Sequence, residues 1–205
     1  SLLAPGSPAK GMFDSLPGRQ VLDLASKGVN SLETSSIGRL FDAVAFMLGC
    51  GESVSYEAEA AVALEALAWR AEACDASYRF EYSDMDSIVE IDPANVLKGI
   101  LKDLDGKVSR EEIARVFHEA VAVMVIELAT RFSTEQAVED VVIAGGVFQN
   151  RLLCELIMDK ASEASWSLYQ HAIVPPNDGG ISFGQARVAA AILNMEMKGA
   201  KESKE

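Results

Sequence analysis

The chain has 205 residues, 49% of them hydrophobic and 24% charged, with a formal net charge of −13. That length and balance suit a globular domain with one sizeable core or two small lobes. The acidic excess excludes a binder of nucleic-acid backbone, which needs a basic face. It leaves room for a nucleotide, whose charge can be met locally by backbone N–H groups and a metal ion. No apolar run reaches the roughly 18 residues of a membrane span, and no basic-then-apolar leader opens the sequence. Cys50, Cys74 and Cys154 stand far apart in no metal-ligand spacing, so reduced thiols and a cytoplasmic location are expected.

In chain order, residues 1–30 read as an irregular lead-in punctuated by Pro5, Pro8 and Pro17, with a short helix at about 19–27. Thr34, Ser35 and Ser36 can cap a helix running through Leu48, with Gly49 and Gly51 at its end. Its apolar face is Leu40, Val44, Met47 and Leu48. Asp42 sits among them, either paired with Arg39 three residues earlier or turned toward a ligand. An alanine-rich helix is predicted from about Glu57 to Cys74, with Glu57 as a first-turn acid complementing the dipole. Tyr78, Phe80 and Tyr82 then alternate with polar residues, and Ile88, Val89 and Ile91 follow after a turn, which signals a hairpin. Asp92 and Pro93 open a helix with Val96, Leu97, Ile100, Leu101 and Leu104 as its buried stripe. A long helix is predicted over 109–132, with Ser109 and Glu112 as a capping box and His118 as a structural histidine.

Residues 141–150, VVIAGGVFQN, run from a strand at 141–144 through Gly145 and Gly146 toward a helix at 150–164. A glycine pair lets the chain turn tightly and approach a ligand closely, and a helix start offers unpaired N–H groups to an anion. An ordinary glycine turn is the alternative. A second strand at 166–170 follows, so the intervening helix makes a crossover and the strands pair in parallel. Pro175 and Pro176 extend the chain into Asn177, Asp178, Gly179 and Gly180, ahead of a final helix at 181–197 and a polar tail at 199–205. Two polar turns thus leave the C-terminal ends of neighbouring parallel strands, where ligands bind in open α/β sheets. Asp178 is a candidate ligand for a hard metal ion, with a helix-capping role as the alternative.

Together these motifs resemble the C-terminal part of the HypF carbamoyltransferase family of hydrogenase maturation. The matching stretches are AGGVFQNRLLCELI and HAIVPPNDGGISFGQA, preceded by TSSIGRLFDAVAFMLG, VSYEAEAAVALEALA and VFHEAVA, in family order over nearly the whole chain. The resemblance implies an α/β fold over residues 31–198. That fold would be the second lobe of an actin- and sugar-kinase-like (ASKHA) ATP-binding domain, with a central mixed sheet flanked by helices. It further implies ATP and carbamoyl phosphate as substrates and a carbamoyl-adenylate intermediate. The carbamoyl group would pass to the C-terminal cysteine of HypE, the source of the hydrogenase cyanide ligand. By the matching motifs, Gly145 and Gly146 would approach the nucleotide phosphates and Asn150 would hydrogen-bond carbamoyl-adenylate. Asp42 would take the ribose hydroxyls and Glu57 would lie near ribose or adenine. Asp178 would ligate a divalent metal and act catalytically there.

The sequence departs from the family pattern in three places. Ala144 stands where Ser is usual, Ala58 stands where Gly is usual, and the paired metal-binding histidines are missing, His118 and His171 being the only two. The first change removes a hydroxyl near the phosphates, and the second is expected to narrow the room near the nucleotide. The expectation is a C-terminal fragment that is not competent by itself, with dimerisation left open. Two other readings follow from the same residues: an acidic module that docks HypE, and a lobe of the related tRNA threonylcarbamoyl transferase TsaD. The wording VFQN and PPNDGG and the net charge of −13 count against the second of these.

Overall fold

A computed structural model describes residues 18–50, 53–75, 77–86 and 88–202. The expected lead-in at 1–17, Gly51 and the last tail residues at 203–205 lie outside the described residues.

The molecule is built around one long helix. It runs Arg110–Gln136 and is α5 in chain order, after α1 (Gly18–Ser26), α2 (Ile37–Met47), α3 (Glu59–Ala68) and α4 (Ala94–Asp105). Ser109 caps it as predicted, its hydroxyl accepting from the Glu112 N–H at 3.2 Å. Ile113, Ala114, Phe117, Ala120 and Val121 face inward, where α3, α4 and α6 (Arg151–Ala161) pack against them. Phe41 of α2 meets Phe117 edge-on at a centroid distance of 4.9 Å. Phe41, Leu64, Ile100, Ile113, Phe117, Leu153 and Ile157 are all at or below 1% exposure. Each such side chain contributes about 2 kcal/mol of burial free energy.

The α3 helix begins two residues later than predicted. Ala58 adopts φ 64 and ψ 9, the left-handed region, so the helix cannot extend back to Glu57. This also explains why glycine is usual at this place in the family pattern: the position demands left-handed backbone rather than room.

Among the described residues four short strands form two separate sheets. In the first, β1 (Glu81–Met85) pairs antiparallel with β2 (Ile88–Asp92), Met85 opposite Ile88, and Asp86 takes φ 53. Tyr82 ties this hairpin to α5 by donating to Glu127 Oε2 at 2.8 Å. In the second, β3 (Asp140–Ile143) and β4 (Ser167–Gln170) run parallel with α6 between them, which is the predicted crossover. The central mixed sheet is therefore not found among the described residues; two two-stranded sheets stand in its place. The physical sign of this difference is on the β3–β4 pair itself. Parallel sheets are normally covered on both faces, yet Val142 is 66% and Tyr169 51% exposed. The last helix, α7 (Ile181–Glu202), runs past its predicted end at 197, and from Ile181 to Met195 every residue is exposed. Among the described residues no helix is long and apolar enough to cross a membrane.

Candidate functional site

The end of β3 leads straight into the glycine pair. Gly145 has φ 114 and ψ 162, a conformation essentially closed to residues with a side chain. Its N–H donates to Pro176 O at 2.7 Å, so the turn after β3 is tied directly to the turn after β4. A one-turn 3₁₀ helix, Gly146–Gln149, follows, with the Phe148 N–H returning to Gly145 O at 3.1 Å.

Gly146 differs from the other site glycines in kind. Its φ is ordinary and a Cβ added to it would meet nothing within 4 Å. Among the described residues neither conformation nor packing requires glycine there. At Gly180, by contrast, an added Cβ would lie 2.6 Å from Pro175 O, so the chain's own turn demands glycine. The first two N–H groups of the 3₁₀ turn, on Gly146 and Val147, have no carbonyl of that turn to bond to. Bare backbone facing open space beside such N–H groups is the arrangement that accepts an oxyanion.

The start of α6 is expected to offer its own N–H groups, and two of them are already taken. Asn150 caps it, Oδ1 accepting from the Leu153 N–H at 2.8 Å. The Leu152 N–H donates to Glu65 Oε1, reaching across from α3, at 3.0 Å. The Glu65 carboxylate thus occupies the positive end of the α6 dipole. The 3₁₀ turn one step earlier is the place where an anion can meet bare backbone.

Asn150 is itself buried, at 9% exposure. Its Nδ2 lies 2.9 Å from His118 Nε2, and His118 Nδ1 lies 2.8 Å from Ala114 O. A carbonyl can only accept, so Nδ1 carries the proton and Nε2 accepts from Asn150. The Phe41 and Phe117 rings stand edge-on to the imidazole at 5.4 and 5.9 Å. Burial pushes His118 down to about 4, which keeps the ring neutral.

The remaining candidates are less enclosed. Asp42 forms the ion pair with Arg39, at 3.0 Å, and its helix α2 packs against the 3₁₀ turn. Glu57 is exposed in the turn ahead of α3, and among the described residues no hydrogen bond or ion pair joins it to the glycine turn. The first-turn acid of α3 is Glu59, whose carboxylate takes the N–H and the hydroxyl of Ser55; those bonds, the N–H foremost, hold it below the usual range. Asp178 is exposed at the start of a second 3₁₀ turn, Asp178–Gly180. The cap there is Asn177, whose Oδ1 accepts from the Gly179 N–H at 3.1 Å. No group of three or more His, Cys, Asp or Glu among the described residues could hold a metal ion. Asp178 offers one carboxylate, and the residues present do not make a metal site.

Gly145, Gly146 and the turn bearing Asp178 are thus brought together, with Asn150 at the end of the same turn and α2 packed against it. The sequence reading missed His118 as the partner of Asn150 and Glu65 as the second cap of α6. They lie 32 and 87 residues from the groups they bond, and no local pattern encodes either pairing.

A family model described as the carbamoyltransferase, Kae1-like domain, second subdomain, matches residues 9–185. The carbamoyltransferase HypF of Rhodobacter capsulatus is 35% identical over 184 residues, covering 89% of this chain and 23% of that protein. The HypF of Synechocystis is 32% identical over 152 residues, covering 74% and 19%. Among solved structures, a full-length HypF in its phosphate- and nucleotide-bound form superposes with a TM-score of 0.82 at 34% identity, covering 90% of this chain and 24% of that one. The HypF of T. kodakarensis superposes with a TM-score of 0.75 at 25% identity. The chain spans from 19% to 23% of the length of these two curated relatives.

Proposed function

The chain belongs to the HypF carbamoyltransferase family, and on that premise we propose that it supplies the phosphate-facing lobe of such an enzyme. The reaction uses ATP and carbamoyl phosphate, passes through carbamoyl-adenylate, and ends on the C-terminal cysteine of HypE. The lobe is one half of an ASKHA-type nucleotide clamp. The observation that carries this reading is Gly146, a glycine that its own fold does not need, facing open space beside the N–H groups of a 3₁₀ turn. A relative of the same fold binds phosphate and nucleotide. The apolar residues left exposed on the β3–β4 face and on α7 suit a lobe that closes against another.

In this reading Gly145 shapes the turn and Gly146 lets the phosphates approach the backbone. Asn150 offers the N–H and the carbonyl lone pair it has left to the carbamoyl-adenylate. Asp42 accepts from ribose hydroxyls on the face opposite Arg39, and Glu57 borders the ribose or adenine. Asp178 is one carboxylate of a metal site whose other donors come from outside the described residues.

The test is a segment exchange. This chain replaces the matching stretch of the Rhodobacter capsulatus HypF, and carbamoylation of the HypE cysteine is followed by mass spectrometry. Transfer is retained in the exchange, and Gly146→Val lowers it roughly a hundredfold, the scale of an ångström-sized misplacement of reacting groups. Because an added Cβ meets nothing within 4 Å, the melting temperature is expected to stay the same. Undiminished transfer by the valine variant would overturn the reading.

A further inference from the structure

We propose that His118 is a positioning residue for this site: it fixes the side-chain amide of Asn150 in the one orientation that both caps α6 and serves the glycine turn. The inference rests on the function proposed above for Asn150. It starts from valences. With the proton on Nδ1 held by Ala114 O, the Nε2 lone pair can only accept, and the Asn150 NH₂ must face it. The Asn150 carbonyl then points to the Leu153 N–H. Rotating the amide by half a turn would set the NH₂ against the Leu153 N–H and the carbonyl against the imidazole lone pair. Both contacts would become repulsive in a buried site, where unmet polar groups cost most. One N–H and one carbonyl lone pair of Asn150 remain, in fixed directions, for a ligand.

The surroundings preserve this state. Phe41 and Phe117 wall the ring with apolar surface. The charges that bear on it are Glu65 on α3 and Arg115 and Glu119 on α5. Arg115 pairs with Glu119 at 3.1 Å, and Lys160 of α6 pairs with the same carboxylate at 3.0 Å, so the acids facing the ring are engaged elsewhere. Glu65 is held by the Leu152 N–H. A proton added at Nε2 would put two donors face to face and release the cap on α6. The imidazole therefore acts as a fixed acceptor, without moving a proton itself.

Two measurements test this. In the ¹⁵N-labelled 205-residue chain, the nitrogen shifts of His118 report the Nδ1–H tautomer, unchanged through neutral pH. Asn150→Asp, which replaces the donor by a carboxylate, raises the His118 pKa and protonates Nε2. An Nε2–H tautomer in the wild-type chain, or a His118 pKa indifferent to Asn150→Asp, would overturn the proposal whether or not other variants fold. In the exchanged enzyme, His118→Leu lowers kcat/KM about tenfold, the scale of one lost hydrogen bond. His118→Gln, whose carbonyl can accept from Asn150, restores most of it. If both variants match wild type while Gly146→Val lowers transfer as expected, the positioning role fails and the site stands. If Gly146→Val is silent as well, the site fails with it.

Discussion

Around α5, Phe41, Leu64, Ile113 and Phe117 are at or below 1% exposure, whereas Val142, Tyr169 and Ile192 on the β3–β4 and α7 side are each more than half exposed. Polar groups divide in the same way. The buried His118, Asn150 and Glu119 each have named partners, and the start of α6 is capped twice from within. On the other side, Gly146 faces open space and Asp178 is exposed. A region whose buried polar side chains are partnered holds a geometry; a region that leaves apolar surface and bare backbone open is shaped for something to arrive. The glycine turn lies on the boundary between the two, anchored behind by Asn150 and open in front.

Truncation on the two sides gives the largest expected contrast. Phe117→Ala should cost about 3–5 kcal/mol in urea unfolding, while Phe183→Ala on exposed α7 should stay within about 0.5 kcal/mol. Equal costs would break the comparison. Acid sharpens it next. The His118 pKa falls from its ordinary 6.5 to about 4 on folding, so between those values the unfolded chain binds a proton that the folded chain refuses. The stability due to the neutral ring is therefore complete above about pH 6.5 and is lost progressively as pH falls toward 4. Its full size is roughly 3 kcal/mol. The difference between wild type and His118→Gln, followed from pH 7.5 to 4, isolates it; a flat difference would contradict the buried neutral imidazole. The smallest effect is at Ala58. Relief of left-handed strain, partly offset by the freedom glycine gains when unfolded, should make Ala58→Gly more stable by about 0.5 kcal/mol. A loss of stability would place the family preference for glycine in packing instead.

The readable parts of the sequence were those fixed locally. Ser109 and Glu112 marked the start of α5, and VVIAGG marked a strand entering a turn, as the structure has them. The alternation around Tyr82 and Ile91 marked a hairpin, but its first strand is Glu81–Met85, beyond Tyr78 and Phe80 and through residues 83–85, which read as turn. The prediction for Glu57 failed by two residues because a backbone conformation, left-handed at Ala58, leaves no mark in composition when alanine occupies it. The α6 terminus misled for the opposite reason. Its N–H groups looked open from the sequence, and the Glu65 carboxylate that fills one of them comes from 87 residues away. Of the site, the glycine pair, Asn150 and the Asp178 turn were legible as a set, because strand C-termini in a parallel pair align along one edge. The imidazole behind Asn150 was not, since a lone helical histidine carries no sign of what it faces.

The central claim is that Gly146 is the place where nucleotide phosphates meet the backbone. Its most direct test is calorimetric titration of ATP into the segment-exchanged HypF with and without Gly146→Val, the melting temperature of each being recorded alongside. The account predicts affinity weakened at least about tenfold, or about 1.4 kcal/mol, at an unchanged melting temperature. Equal ATP affinity in the two proteins would contradict it.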